Sequence, residues 1–378
     1  MTKKVQNFVI VCGGTGGHIY PGLAVASGIR KKFKEASIHF IGTYNRMESK
    51  IIPETGYPFY GISVEGIQRR MDWVGIKKNV KSLLLLVSGI PLWQSLRILS
   101  KIKPQAVFAT GGYFSGPVIF ASYILKIPCI SLEPNVVPGL ANRLAAPFLK
   151  KIIITHQESS IYFRRKDKCV KIGTPVRPEI FATNRNEALK NFHLDPDRIT
   201  ILIMGGSLGA KNINDSIQEL LRMIKNNENH LKEKIQIIHS IGKRHYQDYI
   251  EYLVDTGEIN YQPLEYIEHM DQLLPAVDLF IGRSGATSIA EATSLGIPMI
   301  LIPWRGVNQA ANAEVLAKNG AAELIYDDEL TSGKLYQFIT DFVIHPQKRE
   351  QMVQNSQQQG NPNAAEEIAD LLIQISNK

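Results

Sequence analysis

Phe8-Val9-Ile10-Val11-Cys12 running into Gly13-Gly14-Thr15-Gly16-Gly17-His18 is the stretch on which the fold turns. A short apolar run rich in β-branched residues meets a glycine turn, and helix-compatible sequence follows. Half the chain later the design recurs. Ile199-Thr200-Ile201-Leu202-Ile203-Met204 opens into Gly205-Gly206-Ser207-Leu208-Gly209-Ala210. Strand, glycine turn and helix together present backbone N–H groups and a helix N-terminus to an anionic ligand. Two copies predict an α/β protein of two nucleotide-type, parallel-sheet domains facing a central cleft. Their glycine turns are expected at the carboxyl ends of the strands, where open α/β sheets bind ligands.

The bulk numbers agree with two domains. At 378 residues the chain exceeds one ordinary core. Hydrophobic residues at 44% and charged residues at 21% describe a globular chain rather than a disordered one. Three cysteines are odd in number and unclustered. Cys12 and Cys129 sit in apolar runs and read as reduced core residues, so a cytoplasmic setting is expected. The first apolar run stops too soon for a secretory leader. Residues 82–96, an uncharged and leucine-rich stretch, contain Gly89 and Pro91 and fall short of the roughly 20 residues that span a bilayer. A net charge of +8 points to an anionic partner: nucleic acid, anionic lipid or a phosphorylated substrate. With no zinc-finger spacing, basic helix or aromatic RNA-binding strand, nucleic acid is not expected.

Strand candidates at 5–12, 38–41, 106–109, 128–132, 152–155 and 170–172 alternate with helix-length segments in the first half. Those at 199–204, 235–239, 278–281 and 298–302 do so in the second. This alternation is that of parallel sheets wrapped by helices. Gly173-Thr174-Pro175-Val176-Arg177-Pro178 is a stiff turn and marks the junction. The expected domains are 1–174 and 175–360. Residues 361–378 form a final amphipathic helix that either seals the second domain or crosses back to the first.

GGTGGH does not fit G-x-G-x-x-G. The next strand runs into Gly42-Thr43-Tyr44-Asn45 without the carboxylate that a nicotinamide dinucleotide site wants. A P-loop is excluded too, since no G-K-[ST] follows either turn. Two more strands end the same way, at Gly111-Gly112-Tyr113-Phe114-Ser115-Gly116-Pro117 and Gly282-Arg283-Ser284-Gly285-Ala286-Thr287-Ser288. One such turn is ordinarily only a tight connection, but four of them point to a phosphate-rich ligand. The small residues from 284 to 288 let a diphosphate approach a helix N-terminus. Glu291, farther along that helix, can accept both hydrogen bonds of a ribose diol. The plainer alternative makes Glu291 a solvated helix residue and puts Arg283 in a structural ion pair.

Eight segments carry a family resemblance: GGTGGHIYPGLAVA (13–26), GGYFSGP (111–117), EPNVVPGLANR (133–143), GTPVRPEI (173–180), GGSLGAKNIN (205–214), EYIEHM (265–270), RSGATSIAEATSLGIP (283–298) and NQAANA (308–313). In order and together they resemble the MurG family, N-acetylglucosaminyltransferases of bacterial peptidoglycan synthesis. The resemblance implies a GT-B fold with the nucleotide sugar held mainly by the second domain. It implies uracil near Ile267, ribose at Glu291, and diphosphate at Ser207 and the turn Ala286, Thr287 and Ser288. Gln309 and Asn135 would address the sugar, with Arg177 at the junction near the donor. Thr15, Gly16 and Gly17 would serve from the first domain. The chain departs from the family pattern at Leu132, Pro134, Leu208 and Asn308, so no contact is carried over there.

The resulting expectation is an inverting hexosyltransferase that moves N-acetylglucosamine (GlcNAc) from UDP-GlcNAc. The acceptor would be the 4-hydroxyl of N-acetylmuramic acid (MurNAc) in a polyprenyl-diphosphate-linked MurNAc-pentapeptide. A UDP-GlcNAc 2-epimerase of similar fold, or a binding module without turnover, are the alternatives. With no His/Asp cluster of metal-ligand spacing in the sequence, neither metal nor cofactor is expected. Leaving-group charge falls to helix N-termini and Arg177. His18 is the expected base or acceptor-orienting group, and Glu133 the competing base. Residues 76–101 mix apolar and basic side chains. They suggest peripheral docking on the anionic cytoplasmic face of the cell membrane.

Overall fold

The computed structural model describes residues 6–65, 88–206, 208–226, 231–253, 256–257, 259–305 and 308–377. The chain divides into two units, Met1–Arg177 with Asn363–Lys378, and Pro178–Pro362.

The first unit is built on β1 (Asn7–Val11), β2 (Ser37–Thr43), β3 (Phe59–Ile62), β4 (Ala106–Ala109), β5 (Cys129–Glu133), β6 (Lys151–Ile154) and β7 (Cys169–Lys171). All pairings are parallel, in the order β3-β2-β1-β4-β5-β6-β7. Strand periodicity explains why β1 is apolar throughout. Phe8 and Ile10 enter one core, while Val9 and Val11 enter the core on the opposite face. The helices Gly16–Lys32 and Ala364–Ser376 cover the first face; Ile90–Ile102 and Ser115–Ile124 cover the second.

The second unit holds β8 (Ile199–Met204), β9 (Ile235–Ser240), β10 (Asn260–Leu264), β11 (Leu279–Gly282), β12 (Met299–Leu301) and β13 (Ala322–Leu324). Its order is β10-β9-β8-β11-β12-β13, again all parallel. Helix Lys211–Asn226 buries Ile213, Ile217, Leu220, Leu221 and Ile224 against this sheet, an apolar stripe at helical spacing.

In each sheet the order reverses once, between β1 and β4 and between β8 and β11. Val11 is level with Ala109, and Met204 with Gly282. The four glycine turns therefore leave the carboxyl ends of the strands that flank the two switch points, the ligand-binding position of open α/β sheets.

β3, β10 and β13 are absent from the sequence expectation, and all three are edge strands. Their sequences, FYGI, NYQPL and AEL, lack the continuous apolar run that burial on both faces demands.

The tail helix packs on the first unit, against helix Gly16–Lys32. A Cβ at Gly28 would lie 2.8 Å from the Ala365 carbonyl oxygen, so the crossing requires glycine. Lys31–Glu366 and Lys32–Asp370 flank it, but these pairs are exposed and add little stability. No helix among the described residues is long and apolar enough to cross a membrane.

Candidate active site

After β1 the chain turns through Gly14, at φ +83°, and enters helix Gly16–Lys32 with Thr15 at the N-cap. The Thr15 side chain makes no capping bond. His18 follows in the first helical turn, its backbone N–H donating to the Thr15 carbonyl. Its Nδ1 lies 2.8 Å from the carbonyl oxygen of Thr110, the residue after β4. A carbonyl only accepts, so Nδ1 carries the proton and Nε2 keeps its lone pair. Phe114 packs edge-on against the ring, and a Cβ at Gly112 would lie 3.4 Å from Nε2. Burial pushes the His18 pKa below the ordinary histidine value, against the opposing pull of the Thr110 carbonyl and the Glu48 charge. The lowered pKa favours the neutral imidazole, with one basic nitrogen, on a residue that is itself only half-buried.

Glu48 was not singled out by sequence reasoning. It is fully buried, and its carboxylate accepts from the Gly14 N–H at 3.0 Å, the Thr43 N–H at 3.0 Å and the Thr43 hydroxyl at 2.5 Å. A side chain at Gly13 or Gly42 would strike it. The acidic residue sought at the end of the second strand therefore exists a few positions later. It serves the first glycine loop rather than a ribose. The glycines that make room for it were the available signal.

Glu133 ends β5 at 1% exposure. Its carboxylate accepts from the Asn135 N–H (3.0 Å) and Nδ2 (3.3 Å), the Gly139 N–H (3.0 Å) and Asn142 Nδ2 (2.8 Å). Burial raises its pKa, opposed by those same donors. The donors come from the loop and helix that follow, so Glu133 folds the segment carrying Asn135. Arg177, last in this stretch of the first unit, lies with its guanidinium 4.5 Å from the Tyr20 ring centroid, on the helix that carries His18.

In the second unit the turn after β11 leads to Gly285, the N-cap of helix Ala286–Ser294. Ala286, Thr287 and Ser288 form its first turn, all partly exposed. Glu291 comes next on the same helix and is buried at 8% exposure, so it is no solvated surface residue. Ser284 donates from its hydroxyl to the Gln309 carbonyl at 2.8 Å, and Asn312 Nδ2 donates to the Ser284 carbonyl at 3.2 Å. These bonds bring the β11 turn and the exposed Gln309 together. Arg283 is committed elsewhere, to Asp327 at 2.5 Å, the Ile302 carbonyl at 2.7 Å and the face of Trp304 at 4.6 Å. That is the structural ion pair weighed above. Ile267 is buried just beyond β10, beside exposed Tyr266. Ser207 lies outside the described residues.

Two parallel-sheet nucleotide-type units, each with its glycine turns at the switch point, make a GT-B fold, and the family matches make it that of a glycosyltransferase. Residues 8–154 match the glycosyltransferase family 28 N-terminal domain and residues 200–368 the family 28 C-terminal domain. A UDP-N-acetylglucosamine–N-acetylmuramyl-(pentapeptide) pyrophosphoryl-undecaprenol N-acetylglucosamine transferase of Desulforamulus reducens is 37% identical, over 97% of this chain and 98% of its own. The same-named protein of Halothermothrix orenii is 39% identical, over 97% and 98%. The crystal structure of Acinetobacter baumannii MurG superposes with a TM-score of 0.73 at 25% identity, over 98% of this chain and 99% of its own. The chain belongs to the MurG family. A UDP-GlcNAc 2-epimerase from Neisseria meningitidis bound to UDP-GlcNAc, at TM-score 0.66 and 16% identity over 98% and 100%, shares the fold alone.

Proposed function

We propose that the chain transfers GlcNAc from UDP-GlcNAc to the 4-hydroxyl of MurNAc in undecaprenyl-diphospho-MurNAc-pentapeptide, with inversion at the anomeric carbon. Membership of a family whose relatives carry that name is one support. The observation that carries the chemistry is the His18 ring, whose Nδ1 is spent on the Thr110 carbonyl and whose Nε2 is left basic.

The acceptor hydroxyl gives its proton to His18 Nε2 while its oxygen bonds to the anomeric carbon. The bond from that carbon to the diphosphate oxygen breaks, and UDP leaves with the electron pair. Negative charge grows on the diphosphate, which meets the loop 205–209 and the first turn of helix Ala286–Ser294. Glu291 accepts the ribose hydroxyls, Ile267 flanks the uracil, and Gln309 and Asn135 meet the sugar. Thr15, Gly16 and Gly17 line the acceptor side. Glu133 acts by holding its loop, because four donors already occupy its carboxylate.

The acceptor's lipid calls for an anionic membrane surface, and the first unit offers a face for one. Trp93 is 60% exposed, Leu140 68% and Leu144 67%. Leu140, Leu144 and Tyr162 line a groove of about 440 Å³ edged by Arg143 and Arg164. Apolar side chains among cations suit a leaflet of anionic lipid on the cytoplasmic side. Residues 76–87 of the expected docking segment lie outside the described residues.

Release of UDP on adding the lipid-linked acceptor tests the assignment. Acceptor-dependent release supports it, and release indifferent to the acceptor contradicts it.

A further inference from the structure

Gly209, in the turn after β8, rests on a chain of polar side chains to which the transfer mechanism gives no role. Gly209 has φ +82°, and a Cβ there would lie 2.0 Å from the Ile241 carbonyl oxygen. A Cβ on Gly242, at φ +92°, would lie 2.1 Å from the Gly209 nitrogen. The turns after β8 and β9 thus meet backbone to backbone, and where one sits sets where the other sits.

The second turn is itself pinned. Asn214, buried on helix Lys211–Asn226, donates from Nδ2 to the Ile241 carbonyl at 3.1 Å. Its Oδ1 lies 3.1 Å from Nε2 of His239, a wholly buried residue of β9. His239 Nδ1 lies 2.9 Å from the Tyr261 hydroxyl on β10, which is 3.2 Å from that of Tyr249. An amide that spends its NH2 on a carbonyl offers only oxygen to its other neighbour, so Nε2 carries the imidazole proton. Tyr261 then donates to Nδ1. Burial pushes the His239 pKa down to about 3, so this neutral tautomer persists at working pH.

We propose that His239 is a positioning residue for the diphosphate loop. Its Nε2–H selects the orientation of the Asn214 amide, Asn214 holds the Ile241 carbonyl, and Ile241-Gly242 hold Gly209. A flipped Asn214 would set oxygen against oxygen at Ile241 and N–H against N–H at His239. The loop would then lose its register with the phosphates, while contacts to the nucleoside, made elsewhere, would stand. The inference rests on the diphosphate binding at 205–209.

Calorimetric titration of the full chain with UDP and with uridine tests it. His239→Phe removes the Nε2 donor and lowers UDP affinity about tenfold, roughly one hydrogen bond's worth. Uridine affinity stays unchanged. His239→Gln, which returns an N–H near the Nε2 position, restores most of the UDP affinity. Asn214→Asp keeps side-chain size, removes the donor to Ile241 and gives the same UDP-selective loss, which decides the matter if His239→Phe does not fold. Equal loss of UDP and uridine, or loss of neither, in both variants overturns the proposal. A wild-type chain that binds uridine as tightly as UDP overturns the diphosphate assignment instead.

Discussion

His18 Nδ1 lies 2.8 Å from the Thr110 carbonyl oxygen, joining the helix after β1 to the end of β4. Two neighbouring strands at the switch point thereby fix the tautomer of one imidazole. His18→Ala is expected to lower kcat by about 10²- to 10⁴-fold, the usual worth of a positioned base. Donor affinity is unchanged. Single-turnover kinetics with saturating UDP-GlcNAc measure it, and an equal loss in donor affinity argues for a structural role.

The pH dependence follows from the direction of the His18 shift. A lowered pKa keeps the ring neutral, and hence basic, to more acid pH than a free histidine. The acidic limb of kcat should therefore fall below the ordinary midpoint of about 6.5. A limb above that value would mean that another group, or a charged His18, controls the rate.

Glu48 holds the first glycine loop, so its removal should disturb folding and catalysis together. Glu48→Ala orphans the Gly14 and Thr43 N–H groups, both bonded to its carboxylate. A loss of about 1–3 kcal/mol in stability is expected per orphaned buried group. Denaturant unfolding measures it, alongside a raised KM for the acceptor.

Much of this was legible in the sequence, for a physical reason. Central parallel strands must be apolar on both faces, so β1, β4, β8 and β11 announce themselves, and the glycine turns follow them. Edge strands carry no such constraint, and β3, β10 and β13 went unread. Candidate site residues on the glycine turns are legible through motif spacing. Glu48 and the His239–Asn214 chain were not, because their partners are distant backbone groups that only the folded sheet brings near. The two carboxylates of the expected site also show the limit of residue type. Glu133 and Glu291 are alike in sequence terms, yet Glu133 is saturated by its own loop.

Glu291→Ala should weaken UDP-GlcNAc binding by about 1–3 kcal/mol, because ribose hydroxyls lose a charged acceptor. Isothermal calorimetry reads it directly. Unchanged affinity removes Glu291 from the donor site.

Replacing Trp93 and Leu144, both exposed, with serine should reduce co-sedimentation with vesicles containing anionic lipid. Stability should hardly change. Binding that ignores both the substitutions and the lipid charge contradicts the docking face.

The central claim is transfer of a sugar to a lipid-linked acceptor, and labelled UDP-GlcNAc tests it most directly. The chain is incubated with that donor and polyprenyl-diphospho-MurNAc-pentapeptide, and the lipid extract is counted. The expected result is label in the lipid fraction, absent without acceptor and reduced in His18→Ala. Label that stays water-soluble as UDP-N-acetylmannosamine, with or without acceptor, would contradict the account.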